Sequence, residues 1–123
     1  MLADSKAFSG FAVTDLDEAA KFYGDTLGLK TSVENGLLTL HLAGDRDTLI
    51  YPKPDHQPAN YTILNFPVDD VEQAVDELTA RGVQFERYEG FDQDEKGIAR
   101  GMGPDIAWFT DPSGNILAVL KVP

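Results

Sequence analysis

The chain contains no cysteine. A disulfide framework, a thiolate metal site and a cysteine nucleophile are therefore excluded. Basic residues are scarce: ten Lys and Arg stand against 21 Asp and Glu, a formal net charge of −11. A field of that sign repels phosphate backbones and anionic membranes. No cluster of cations offsets it, since bases such as Arg81 and Arg87 are separated by neutral and acidic residues. Neither nucleic acid nor a membrane is expected as a partner. The acidity would steer a cationic ligand inward, and it also simply keeps a protein soluble. Long apolar runs are missing too. No segment approaches the roughly 18 residues of a membrane span, and Met1–Lys6 has no basic region ahead of an apolar one. A cytoplasmic location is expected. A phosphate loop, a dinucleotide fingerprint and a Ser-His-Asp motif are all absent from the linear sequence. The stretch Gly101-Met102-Gly103-Pro104 is too short, and no helix follows it.

What is present is ordinary in bulk and organised in detail. The 123 residues are 42% apolar and 25% charged, enough for one domain, 1–123, with a real core. An internal repeat organises it. Phe11, Val13, Asp15 and Ala19 return as Phe66, Val68, Asp70 and Ala74, at a constant offset of 55. Two halves of one design follow each other, about 5–53 and 60–123. Each opens with an alternating apolar stretch that predicts a strand. Asp15 and Asp70 then cap helices, with Glu18 and Gln73 three residues on in the capping-box spacing. Leu16, Ala19, Ala20, Tyr23 and Leu27 form one apolar stripe, and Val71, Ala74, Val75 and Leu78 its counterpart. Gly28 and Gly82 end the helices.

Three shorter strands are expected after each helix: Lys30–Val33, Leu37–Leu42 and Thr48–Tyr51 first, joined by turns at 34–36 and 43–47. Pro52–Pro58 links the halves. Gln84–Tyr88, Ile98–Arg100, Ile106–Thr110 and Asn115–Val122 are the strand candidates of the second half. Asp111-Pro112-Ser113-Gly114-Asn115 is a tight-turn sequence. Glu89–Pro104, Gly-rich and charged, reads as a mobile loop. The fold class is thus α+β, with two βαβββ repeats.

That doubled unit, with Val13-Thr14-Asp15-Leu16-Asp17-Glu18-Ala19-Ala20-Lys21-Phe22-Tyr23, Leu27-Gly28-Leu29 and Trp108-Phe109-Thr110-Asp111-Pro112-Ser113-Gly114-Asn115, resembles the vicinal oxygen chelate superfamily. Glyoxalase I, extradiol dioxygenases, fosfomycin resistance proteins and bleomycin-binding proteins belong to it. The resemblance implies curled mixed sheets around a cleft and a homodimer. It also implies four metal-ligand positions. Counting from the shared motifs puts these at Phe8, Ile63, Ala118 and Thr48 or Ile50. Phe, Ile and Ala offer neither carboxylate nor imidazole. No metal and no other cofactor is expected, and metal-dependent lyase or ring-cleavage chemistry is disfavoured.

The remaining chemistry is read from strand alternation. Leu38, Leu40 and Leu42 should face the helices, which turns Thr39 and His41 the other way. Trp108 takes the equivalent place in the second half, flanked by Ile106 and Thr110. Phe8, Gly10, Ala12, Ile63, Asn65 and Ala118 complete a mostly apolar lining suited to a small organic molecule. Trp108 could stack on it, or serve only as core. His41 could be a general base or a structural residue. Arg100 could clamp an anion or pair with Asp92, Asp94 or Glu95. His56 lies among prolines, and Tyr51 and Tyr61 flank the linker. Three readings follow: metal-free binding of a small organic molecule, such as antibiotic sequestration; a lyase, isomerase or dioxygenase with a non-standard site, worked by His41 and Arg100; or an interaction module with a vestigial cleft.

Overall fold

A computed structural model describes residues 1–101 and 103–122. Met102, inside the expected loop, and Pro123, at the end of the expected second half, lie outside the described residues. The chain divides into two compact units, Met1–His56 and Gln57–Pro123.

In the first unit β1 (Ser9–Val13) leads into α1 (Leu16–Ala20), followed by a π-helical turn over Lys21–Thr26. The Asp15 carboxylate accepts from the Glu18 amide at 3.0 Å, which satisfies one of the open donors of the first turn. The sequence predicts one continuous helix to Leu27. Instead the helix widens after Ala20, and the Leu27 amide donates to the carbonyl of Phe22 at 2.9 Å. Tyr23 still lands in the core, fully buried. Strands β2 (Lys30–Glu34), β3 (Leu37–Leu42) and β4 (Arg46–Pro52) complete a sheet of order β1-β4-β3-β2. β1 runs parallel to β4, and the other pairs are antiparallel. Val13, Leu38, Leu40, Thr48 and Ile50 are buried on one face. Leu42, expected with them, is only half-buried at the strand end.

The second unit repeats the plan. β5 (Thr62–Pro67) precedes α2 (Val71–Ala80), whose cap Asp70 accepts from the Gln73 amide at 3.0 Å. Val71 and Val75 are its buried stripe, with Ala74 and Leu78 half-buried. β6 (Ile106–Thr110) and β7 (Ile116–Leu120) form a sheet of order β5-β7-β6, with β5 and β7 parallel. The strand expected at Gln84–Tyr88 shrinks to one bridge, Phe85 to Phe109, plus a 2.8 Å bond from the Glu86 amide to the Trp108 carbonyl. The physical reason is a side chain. Gln93 Nε2 donates to the Glu86 carbonyl at 2.9 Å, and Gln93 Oε1 accepts from the Tyr88 amide at 2.8 Å. Those bonds take backbone groups that a longer ladder would need. Ile98–Arg100 likewise survives only as bridges of Ala99 to Gln93 and Ile106. Both expected helix-ending glycines, Gly28 and Gly82, have positive φ, 75° and 93°.

Candidate functional site

Part of the expected loop, Glu89–Pro104, is extensively bonded. Besides the two bonds above, Gln93 Nε2 donates to the Gly97 carbonyl at 2.8 Å. Asp94 Oδ1 accepts from the amides of Lys96 and Ile98, both at 2.9 Å, and Arg87 donates to the Asp94 carbonyl at 2.6 Å. Ile98 and Ala99 are buried. Residues 91–99 thus form a bonded cover, held by Gln93 and Asp94. Burial pushes the Asp94 carboxyl up, but the Ile98 and Lys96 amides and the Arg100 guanidinium outweigh it and hold it below the usual range. A depressed carboxyl contributes stability above its unfolded value and loses it as pH falls through the folded one. The protection factors of the Gly97–Ala99 amides, taken relative to the unprotected exchange rate at each pH, are therefore expected to fall below about pH 4, before those of the β5–β7 amides respond. Uniform protection down to global unfolding would contradict this.

Beneath the cover lies an aromatic group. Asn65, Ala118 and Trp108 form one row across β5, β7 and β6. Trp108 packs with Ala99 and Ala118, and Tyr88, Ile106 and Ile116 close around them. The Tyr88 ring meets Trp108 edge-on at 5.6 Å, and the Phe91 ring lies 4.9 Å from it at a tilt of 60°. Burial, with help from Glu86, pushes the Tyr88 phenol up, so it stays neutral through the physiological range. Trp108 is therefore buried under two rings. Phe91, 44% exposed, is the outermost of the three. Ile63 sits where the β5 register shifts.

Arg100 is committed to carboxylates: Asp105 at 3.0 Å, Asp94 at 3.4 Å and Glu72 at 3.8 Å. It lines a polar recess with Asp69, Asp70, Val71, Glu72, Asp105 and Lys121. The geometry favours the paired alternative over an anion clamp, with Asp94 as the one foreseen partner.

In the first unit Thr39 and His41 share the face opposite the buried leucines, as alternation predicts. His41 is exposed and doubly bonded. Its Nε2 lies 2.8 Å from Ser32 Oγ on β2, and its Nδ1 lies 3.0 Å from Asp47 Oδ1 on β4. Sequence reasoning missed Ser32 and Asp47 because strand register, not spacing along the chain, brings them to His41. Phe8, 67% exposed, precedes β1.

The metal that the family resemblance implies does not fit these residues. The fourth position, expected at Thr48 or Ile50, needs correction: both side chains are buried on the helix-facing side. On its other face β4 presents Asp47, Leu49 and Tyr51, and Asp47 is bonded to His41. Ile63 and Ala118 carry no donor. Among the described residues no group of three or more His, Asp or Glu side chains is placed to hold a metal ion.

The fold has many solved counterparts. A glyoxalase/bleomycin resistance/dioxygenase superfamily protein from Sphaerobacter thermophilus is 23% identical, with a TM-score of 0.71 over 98% of this chain and 99% of that one. TnmS3, an antibiotic binding protein from Streptomyces sp. CB03234, is 22% identical, with a TM-score of 0.68 over 98% of each chain. The fosfomycin resistance protein FosX from Mesorhizobium loti is 11% identical, with a TM-score of 0.66 over 98% of this chain and 93% of that one. No curated protein matches the sequence. The family model for the Glyoxalase/Bleomycin resistance protein/Dioxygenase superfamily matches residues 7–119, and the chain belongs to that superfamily.

Proposed function

We propose that this protein binds a small planar organic molecule, without a metal, against the Trp108 face of its second unit. Antibiotic sequestration is the concrete form of the proposal. The observation that carries it is the Tyr88–Trp108–Phe91 aromatic group, with Trp108 packed with Ala99 and Ala118 and with Ile106 and Ile116 against that cluster. Such a surface gains from burying a flat apolar ligand and from ring stacking. Phe91 is the ring that a ligand replaces over Trp108, because it is the most exposed of the three. Asn65, exposed in the same row, supplies a polar contact at the edge. The net charge of −11 favours a cationic ligand. The resemblance of the fold to TnmS3 and FosX is consistent with a drug-directed role. A cytoplasmic homodimer completes the proposal.

Trp108 is the only tryptophan, so its fluorescence reports on this face alone. Titration with bleomycin and with a planar cationic dye such as acridine orange is expected to quench it. By calorimetry, Trp108→Ala should weaken the binding of the same probe about tenfold, as expected for a lost ring pair of about 1.5 kcal/mol. Unchanged affinity would remove Trp108 from the site. A native mass spectrum of the purified protein tests the dimer and the metal-free state together. One divalent ion per chain would overturn the metal-free reading.

A further inference from the structure

The sequence contains no Ser-His-Asp motif, but the first sheet assembles one. Three strands contribute one side chain each. His41 stands directly opposite Asp47 in the β3–β4 register, and Ser32 lies diagonally across from His41 in the β2–β3 register. Diagonal neighbours on one face are within reach of a ring-sized side chain. The Ser32 Oγ to His41 Nε2 distance is 2.8 Å, and the His41 Nδ1 to Asp47 Oδ1 distance is 3.0 Å.

These contacts set the direction of the chain of hydrogen bonds. An ionised carboxylate only accepts, so in the neutral ring Nδ1 must carry the proton. Nε2 is then the lone pair, and the Ser32 hydroxyl donates to it. A nucleophile, a base in the correct tautomer and a carboxylate that holds the tautomer are thus in line. Neither ring nitrogen is left to face solvent alone, although the imidazole itself is exposed.

Donors for a developing oxyanion are also at hand. Asn35 and Gly36, with φ of 53° and 74°, form the two-residue turn of the β2–β3 hairpin. Such a turn makes its flanking residues, Glu34 and Leu37, a hydrogen-bonded pair. Alternation then pairs Ser32 with Thr39 in the same way and turns the Val33 amide outward. β2 is the edge strand of the sheet, so that amide points away from it, next to Ser32. Lys30, directly opposite His41 in register, adds a cation on the same face.

We propose that Ser32, His41 and Asp47 form a serine-hydrolase site for small activated carboxylic esters. In the first step Ser32 Oγ bonds to the ester carbonyl carbon and its proton passes to His41 Nε2. The bond from that carbon to the leaving oxygen breaks, and Nε2 returns the proton to the departing alcohol or phenol. Water then cleaves the Ser32 ester by the same route and releases the carboxylic acid. Asp47 stays ionised throughout and acts as a positioning residue through the His41 Nδ1–H. The open face suits small, unhindered esters. The site belongs to the first unit and does not rest on the Trp108 reading.

The test uses p-nitrophenyl acetate turnover and labelling with a fluorophosphonate, mapped by peptide mass spectrometry. Labelling is expected at Ser32. Ser32→Ala and His41→Ala should each lower protein-catalysed turnover about 10²-fold, the lower range for positioned acid–base catalysis. All three side chains lie outside the buried core, so these variants keep the fold. Turnover that survives in Ser32→Ala, or labelling that persists in His41→Ala, would reduce the row to a polar ladder. Nitrogen NMR of the imidazoles gives an independent readout. The wild type should show the Nδ1–H tautomer at His41, and Asp47→Ala should shift it toward Nε2–H while also slowing turnover. An Nε2–H tautomer in the wild type would overturn the assignment.

Discussion

Tyr23→Ala is expected to destabilise the protein by about 4 kcal/mol, as for other large aromatic truncations in cores. Tyr23 is fully buried in the first unit, with Phe11 at 5.9 Å and Phe22 edge-on at 5.2 Å. Deleting its ring leaves a void bounded by a sheet on one side and a π-helical turn on the other. Neither collapses readily, because Leu27 and Leu29 hold the turn through bonds to the carbonyls of Phe22 and Tyr23 at 2.9 and 3.0 Å. A domain of this size has only about 5–15 kcal/mol in total. Urea unfolding followed by circular dichroism should therefore show the midpoint fall by a large fraction of its value. A change under about 1 kcal/mol would mean that the turn repacks, and that the π-helical segment is softer than its bonds imply.

Asp111→Ala comes second, at about 3 kcal/mol. Its carboxylate is buried and organises the turn between β6 and β7. Oδ1 accepts from the Ser113 and Asn115 amides, both at 2.9 Å, and Oδ2 accepts from Asn115 Nδ2 at 2.9 Å. Asn115 is itself almost fully buried. Alanine would leave two amides and a side-chain donor without this partner, and each unmet buried donor costs about 1–3 kcal/mol. The sum stays near 3 because the turn can open to water. Asp111→Asn keeps one acceptor and should lose roughly half as much. Equal losses for both variants would show that charge, rather than the acceptor geometry, holds the turn.

The legible and illegible parts of this molecule divide along a physical line. Repeats, caps and alternation are local, and they placed Asp15, Asp70, Gly28 and Gly82 correctly. They also put Leu38 and Leu40 opposite Thr39 and His41. The long-range pairing of β1 with β4, and of β5 with β7, lay outside the local pattern. What failed depended on register or on single side chains. Thr48 and Ile50 were matched to the wrong face of β4, because a count of one residue reverses a strand. Gln93 took the backbone groups of an expected strand and bonded part of an expected loop, and nothing in its neighbours announces that. Phe91 over Trp108 follows from the path of that cover. Ser32 and Asp47 reach His41 only once two strand pairs are aligned.

The two parallel pairings have a consequence for how the chain acquires its shape. Phe11 pairs with Ile50, 39 residues on, and Phe66 with Val119, 53 residues on. Closing such spans has an entropic cost that local contacts do not share. The β2–β3 and β6–β7 hairpins can therefore form early, while β1 and β5 join last and limit the rate. Until then the edges of β4 and β7 that they cover are bare. Slow folding and association in the nascent state are the natural hazards of this topology, and they fall on the same two strands in each unit.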